Sequence, residues 1–203
     1  TGKVGEFAKN AKIIHVDIDP ASISRNIVVD VPIVADAKNA INALLEKGEK
    51  LPIEDWMAQI RAWENNYSLM MKETHMTPQV IIQKINETFK EAVITTDVGQ
   101  NQLWATQFLE LNGSKQMLTS GGLGTMGYGF PAALGAKIGN PEKDVIVITG
   151  DGGMQMNIQE MATAVAQELP VIICIMNNSY LGMVRQIQEF FYARHYSSVC
   201  TRT

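Results

Sequence analysis

The sequence predicts an α/β protein built on a doubly wound, mostly parallel sheet with helices on both faces. Three observations lead there. From Thr77 onward, apolar runs of strand length alternate with helical stretches, the pattern of a parallel sheet covered on both sides. The runs at residues 92–96, 144–149 and 171–176 are rich in Val, Ile and Thr, as buried strands require. Glycine or amide side chains crowd the points where a strand hands over to a helix, and in such sheets the functional loops lie at the carboxyl ends of the strands.

In chain order, residues 12–17 (KIIHVD) read as a buried strand ending in the acidic pair Asp17 and Asp19 before Pro20. Residues 31–34 form a second short strand. Asp36 then caps a helix reaching about residue 45, which Gly48 closes. Residues 53 to about 71 are helical, with Trp56, Ile60 and Trp63 spaced for one face. KGEKLP (47–52) and SLMMKETHMTP (68–78) are exposed connections. The organisation expected is a first domain part over 1–50, a linker with its helix over 51–76 and a second domain over 77–203. In that second domain Thr77 caps a helix over 78–90, followed by the strand 92–96 and a helix over 100–110. A short strand at 116–119 leads to a small-residue helix at 129–138, with Pro131 in its first turn. Strand 144–149, helix 156–168, strand 171–176 and helix 181–192 complete the order.

Seventeen basic against 21 acidic residues give a net charge of −4. A nucleic-acid binder would carry a basic footprint, so that class is excluded. The longest apolar run, residues 169–176, falls far short of the roughly 18 residues of a membrane span. Neither nucleic acid nor membrane is expected as a partner. Cys174 and Cys200 belong to no CxxC, and Cys174, inside VIICIM, reads as a buried reduced thiol, which fits a reducing cytoplasm. In that setting the sequons at Asn86, Asn112 and Asn177 carry no meaning. The opening TGKVGEFAKN has no apolar core and is not a signal peptide, and the chain reads as a piece of something longer.

Four strand ends carry the candidate chemistry: Asp97-Val-Gly-Gln-Asn101, Ser120-Gly-Gly-Leu-Gly-Thr-Met-Gly127, Gly150-Asp-Gly-Gly153 and Asn177-Asn-Ser-Tyr180. Such turns aim backbone N–H groups outward and suit anions. Read alone, Gly122-Leu-Gly124-Thr-Met-Gly127 is a formal GxGxxG, open equally to dinucleotide binding and to a structural glycine turn. Asp151, however, lies in a Gly-rich sequence that reads as a flexible turn. It is followed after Gly152 by 24 residues and then an Asn pair, one strand–helix–strand unit later. An Asp carboxylate and an Asn carbonyl side by side are the hard oxygen ligands that Mg²⁺ takes together with phosphates and water. Gly152 and Gly153 would let the backbone approach a phosphate closely.

GDG, about 25 residues, then NN resembles the signature of thiamine-diphosphate enzymes. TSGGLGTMGYGFPAALGAK with NNSYLGMVRQ is similar to the catalytic large subunits of the acetohydroxyacid (acetolactate) synthase family. The resemblance covers essentially the whole chain. It implies the thiamine-diphosphate-binding fold from about residue 77, preceded by the C-terminal part of a Rossmann-like central domain. It also implies that Asp151 and Asn178 ligate Mg²⁺, with the Tyr180 backbone carbonyl as third ligand, while Asn177 braces the loop. Gly152, Gly153, Gln100 and Asn101 would contact the diphosphate, and Val98, Gly99, Leu181 and Gly182 would belong to the same cofactor pocket. Gly124, Thr125 and Met126 would line the aminopyrimidine, with Met126 as the wedge that bends the cofactor, and Met183 would lie near its reactive carbon and the substrate.

Further implications concern the rest of the enzyme. Asp17, Ile18, Asp36 and Ala37 match positions where the family holds a structural FAD. The reaction implied is decarboxylation of pyruvate and condensation with a second 2-keto acid, pyruvate or 2-ketobutyrate, in branched-chain amino-acid synthesis. Dimers or tetramers, a regulatory small subunit and a cytoplasmic, bacterial setting rather than a plastid one are expected. The activating glutamate lies on an N-terminal domain of the neighbouring subunit, outside this sequence, so this stretch alone is expected to be inactive. Ile187 stands where the biosynthetic members usually carry Trp. Loss of an indole removes up to about 150–250 Å² of contact surface, so weak discrimination between the two acceptors is expected. Another thiamine-diphosphate decarboxylase or carboligase, and a dinucleotide-binding module, are the rival readings.

Overall fold

In a computed structural model, which describes residues 3–68 and 75–201, the chain divides into two units, Thr1–Ser68 and Leu69–Thr203. In the first unit a short 3₁₀ turn (Val4–Glu6) precedes β1 (Ile14–Asp17) and β2 (Val31–Val34), which pair in parallel with Asp17 opposite Val34. Asp36 caps α1 (Ala37–Lys47) by accepting the N–H groups of Lys38 (3.0 Å) and Asn39 (3.2 Å), and Gly48 ends it, as the sequence leads one to expect. The strand expected to be buried is only half-buried, with Ile14 exposed: two strands and their helix supply too few layers to cover both faces. Next comes α2 (Glu54–Asn66), on which Trp56 and Trp63 meet edge to face at 5.5 Å, two turns apart on the expected face. It stops at Asn66 rather than near residue 71, because Tyr67 leaves helical geometry while its N–H closes the last turn on the Trp63 carbonyl. Residues 69–74 of the expected second connection lie outside the described residues.

The second unit begins with α3 (Pro78–Thr88), capped by Thr77, followed by β3 (Val93–Thr96), α4 (Gln100–Phe108), β4 (Gln116–Thr119), α5 (Gly129–Gly139) and β5 (Val145–Gly150). Two short helices, α6 (Asp151–Met156) and α7 (Met161–Ala166), then β6 (Ile172–Met176) and α8 (Gly182–Phe191) complete it. The four strands form one all-parallel sheet in the order β4-β3-β5-β6. Strict alternation along β3 and β5 sorts their side chains onto two faces. Ile94, Ile146 and Ile148 pack with Ile82 and Ile85 of α3 and Ala105 of α4. Val93, Val145 and Val147 pack with Phe130, Ala133 and Leu134 of α5 and Met154 of α6. Each fully buried Ile or Val is worth about 1.5–3 kcal/mol, which is why both faces must be covered.

Two elements depart from expectation. The Gly-Asp-Gly-Gly stretch is not a loose turn: Asp151, Gly152 and Gly153 form the opening turn of α6 directly after β5. The helix expected over 156–168 is broken at Asn157, whose backbone is non-helical and whose amide donates to the Gly127 carbonyl (2.8 Å). A 3₁₀ turn (Ile158–Glu160) bridges to α7. Asn86, one of the sequons, is buried; it donates to the Phe108 carbonyl (2.7 Å) and accepts from Glu110 N–H and Lys115 Nζ (both 3.1 Å). Burial, and Lys90 nearby, lower the Lys115 pKa below the ordinary lysine value, with Glu110 opposing.

Cys174 is half-buried on β6, where desolvation raises its thiol pKa, whereas Cys200 is exposed; both are free thiols. With an aromatic disulfide reagent Cys200 is expected to react about tenfold or more faster than Cys174, and Cys200→Ser should abolish the fast phase. A single phase accounting for both thiols would contradict this environment.

Candidate functional site

Because the sheet is parallel, the loops after β3, β4, β5 and β6 all emerge at one edge. The chain runs from β3 outward to β4, but β5 and β6 lie on the opposite side of β3. The loops after β3 and β5 therefore diverge, and a crevice opens between them, where ligands bind in open α/β sheets. A cleft of about 150 Å³, open on one side to solvent, occupies that position.

Most residues singled out in the sequence converge on it. The loop after β3 contributes Val98, Gly99, Gln100 and Asn101, the loop after β4 contributes Met126, and β5 with α6 contributes Asp151, Gly152 and Gly153. The end of β6 and the start of α8 add Asn178, Tyr180, Leu181, Gly182 and Met183. Gly124 and Thr125 are not among the lining residues. Gly124 adopts φ +74° behind Val98, and Thr125 is exposed and bonded to the Ser120 hydroxyl through its own N–H (3.0 Å). In the first unit Asp17 and Asp36 stand at the ends of adjacent parallel strands. The Asp17 backbone carbonyl accepts the Ala35 N–H (3.1 Å) and its carboxylate accepts the Asp19 N–H (2.9 Å), while Ala37 opens α1 and Ile18 is exposed.

Hydrogen bonds knit the cleft's walls. Gln100 accepts from the Asn178 amide (3.2 Å) and donates to Gln186 on α8 (3.2 Å), joining the first loop to the last. Asn177 accepts the Ser179 N–H (2.9 Å) and Asn178 the Tyr180 N–H (3.0 Å), so both amides shape the turn. The Asn101 NH₂ is directed inward, to the Asp97 carboxylate (3.0 Å), the Thr96 hydroxyl (3.1 Å) and the Ile148 carbonyl (3.2 Å). A side chain on Gly152 would collide with the Met126 methyl and with Leu181, so these two close directly over α6.

Sequence reasoning missed several participants. Trp104, Met176 and Val184 also line the cleft. Asp97 is 0% exposed, and it accepts the Gly127 N–H (2.9 Å) as well as the Asn101 amide. An acid ending an apolar strand is its signal, but the strand-end pattern by itself assigned it no duty. Thr201 donates to the Asp151 carboxylate (2.5 Å), a contact no local pattern announces.

The donor set suits a hard divalent cation. Asp151 is 5% exposed and supplies the carboxylate, with the Asn178 amide oxygen and Tyr180 backbone as further oxygen donors beside it. Among the described residues no cluster of three His, Cys, Asp or Glu side chains forms a metal cage. One carboxylate neutralises only half the charge of Mg²⁺, and an anionic ligand in the same cleft would supply the rest. Mg²⁺ together with a diphosphate fits these residues; either alone fits them less well.

Comparison with known proteins agrees with this chemistry. Residues 97–202 match the thiamine pyrophosphate enzyme C-terminal TPP binding domain, and residues 1–44 match the central domain of the same enzymes. The chain belongs to the thiamine pyrophosphate enzyme family. More particularly, it is 45% identical over 205 residues to the acetolactate synthase large subunit of Porphyra purpurea, a match covering 97% of this chain and 35% of that protein. It is 45% identical over 211 residues to a probable acetolactate synthase large subunit of Methanocaldococcus jannaschii, covering 98% and 36%. With the isozyme 3 large subunit of Escherichia coli K12 the identity is 41% over 208 residues, covering 97% and 36%. The chain thus spans about a third of the length of the curated relatives it matches.

Asp97→Ala would leave the Gly127 N–H without its buried acceptor, at about 1–3 kcal/mol, and would remove one of the several acceptors of the Asn101 amide, at about 0.5–1.5 kcal/mol. A loss of about 2–4 kcal/mol in urea unfolding is expected, with Asp97→Asn less harmful. Gly153→Ala places a methyl group against the same carboxylate and should cost about 1–3 kcal/mol. An unchanged unfolding midpoint in Asp97→Ala would remove this carboxylate from its central role.

Proposed function

We propose that the whole protein is the catalytic subunit of an acetolactate synthase. It would decarboxylate pyruvate and join the two-carbon unit to a second 2-keto acid, on the route to the branched-chain amino acids. The observation that carries the reading is the convergence of Asp151 after β5 and Asn178–Tyr180 after β6 on one cleft. Identities of 41–46% to acetolactate synthase large subunits along nearly all of this chain support it.

Thiamine diphosphate, when bound, supplies the carbanion-stabilising centre that lets a 2-keto acid lose CO₂ and form a new carbon–carbon bond. This chain's residues bind and orient. Asp151, Asn178 and the Tyr180 carbonyl would hold Mg²⁺, and Gln100 keeps the Asn178 amide in place. Met126, beside Leu181 over Gly152, presents an apolar side chain to the cleft that would orient the cofactor, a positioning contribution. Met183, Met176 and Trp104 make that part of the cleft apolar.

The parent enzyme would carry FAD in a structural role at the strand ends holding Asp17, Ile18, Asp36 and Ala37. It would form dimers or tetramers in which the neighbouring subunit's N-terminal domain supplies the activating glutamate. The relatives' designation as large subunits supports a smaller regulatory partner. Two free cysteines fit a reducing cytoplasm.

Titration of thiamine diphosphate into the full-length protein with Mg²⁺, and again with EDTA, tests the reading. Binding is expected only with the metal. Asp151→Ala should weaken it by more than the roughly 10–100-fold typical of residues that merely support a metal ligand. Metal-independent binding, or an undiminished Asp151→Ala, would refute the assignment. Formation of acetolactate from pyruvate separates this activity from that of other thiamine-diphosphate decarboxylases. Ile187, half-exposed on α8, adds a specificity test. The native enzyme should use pyruvate and 2-ketobutyrate as acceptors about equally, and Ile187→Trp should favour 2-ketobutyrate by about tenfold or more, the value of one well-packed methylene. A strong 2-ketobutyrate preference in the native enzyme would contradict it.

A further inference from the structure

After α8 the chain turns back and is pinned along its length. The Gln188 side chain accepts the Ser197 N–H (3.0 Å) and donates to the Ser197 carbonyl (3.1 Å), imitating a strand partner. The Arg185 guanidinium lies 4.1 Å from the Tyr180 ring centroid and 4.9 Å from that of Tyr196, holding the returning segment against the Asn178–Tyr180 loop. Val199 is buried and its carbonyl accepts the Leu181 N–H (2.7 Å), while Thr201 N–H donates to the Ser179 carbonyl (3.0 Å). Tyr180 and Cys200 thereby face each other in an antiparallel bridge. At the end of this strap the Thr201 hydroxyl donates to Asp151 Oδ2.

We propose that residues 197–201 are a working part of the metal site and that Thr201 is a positioning residue for Asp151. The inference rests on the reading of the cleft as a Mg²⁺–diphosphate site. The two ligand groups belong to different elements, Asp151 to α6 and Asn178–Tyr180 to the turn after β6. The strap is bonded to both, by backbone groups to the turn and by a side chain to the carboxylate. It thus fixes one ligand with respect to the other. A hydroxyl donated to an ionised carboxylate is a short, charge-assisted bond that holds the group's rotation. A carboxylate offers about four lone-pair sites, so the bond orients it while leaving acceptor capacity for a cation. A cation then meets an oriented ligand, as the outer partners of metal ligands commonly ensure.

The test compares native full-length enzyme with Thr201→Val, Thr201→Ala and Thr201→Ser by calorimetric titration of thiamine diphosphate over a series of Mg²⁺ concentrations. Thr201→Val, which keeps the shape and removes the hydroxyl, should raise the Mg²⁺ needed for half-maximal binding about tenfold, and Thr201→Ser should restore it. Circular dichroism and urea unfolding establish that the variants fold. A Mg²⁺ requirement in Thr201→Val within about twofold of native overturns the proposal and leaves the cofactor site standing. An equal loss in Thr201→Ser, or unfolding of both Thr201→Val and Thr201→Ala, also overturns it, since the residue would then hold the fold and not the ligand. Absence of metal-dependent binding in the native enzyme overturns both this proposal and the reading beneath it.

Discussion

A carboxylate shut away from water must have its lone pairs met inside the protein, and the second unit is arranged around one. Asp97, at the end of β3, is held by the Gly127 backbone and the Asn101 amide, and among the described residues no ion pair is formed with it. The loops after β3, β4 and β5 come together at this group. Gly153 carries no side chain because the Asp97 carboxylate fills that space, and Gly129 carries none because α5 lies against the backbone of Thr96 and Asp97. The Thr95 hydroxyl, bonded to the Gly129 carbonyl (2.8 Å), fixes the same approach. At these positions the glycines answer first to the protein's own interior.

The same point explains how much of the molecule could be read in its sequence. Strands β3, β5 and β6 were legible because their apolar runs are short and β-branched, and helices α3 and α5 because Thr77 and Pro131 mark their starts. Half-burial of β1 was not, since a run of apolar residues says nothing of how many layers lie against it. Nor was the opening of α6, since Gly-Asp-Gly-Gly has poor helix propensity and its helical turn lies against Asp97, Met126 and Leu181, which are distant in sequence. The break at Asn157 depends on a carbonyl thirty residues upstream. Motif spacing by itself singled out Asp151, Gly152, Gly153 and the Asn pair, and the family resemblance named most of the other residues that line the cleft, though not Trp104, Met176 or Val184. Both missed Asp97 and Thr201, whose importance lies in what they hold and not in what they could bind.

The cleft itself is electrostatically incomplete. A fully acidic cage would capture a divalent ion unaided, whereas one carboxylate with amide and carbonyl oxygens favours a metal that arrives with its own anion. Metal and diphosphate are accordingly expected to bind as a linked pair, each raising the affinity for the other by the same factor. Arg185 contributes no opposing charge to the lining; its guanidinium is drawn aside onto the Tyr180 and Tyr196 rings.

The strap that closes on Asp151 also dates the site within the life of the chain. Synthesis proceeds from the amino end, and β3, β5 and the helices packed on them contain everything their two cores need before residue 180 is made. The bond from Thr201 to Asp151 spans fifty positions and cannot form until the ribosome has passed the last of them. A nascent chain therefore holds every residue of its two cores before the residue that closes on Asp151 exists.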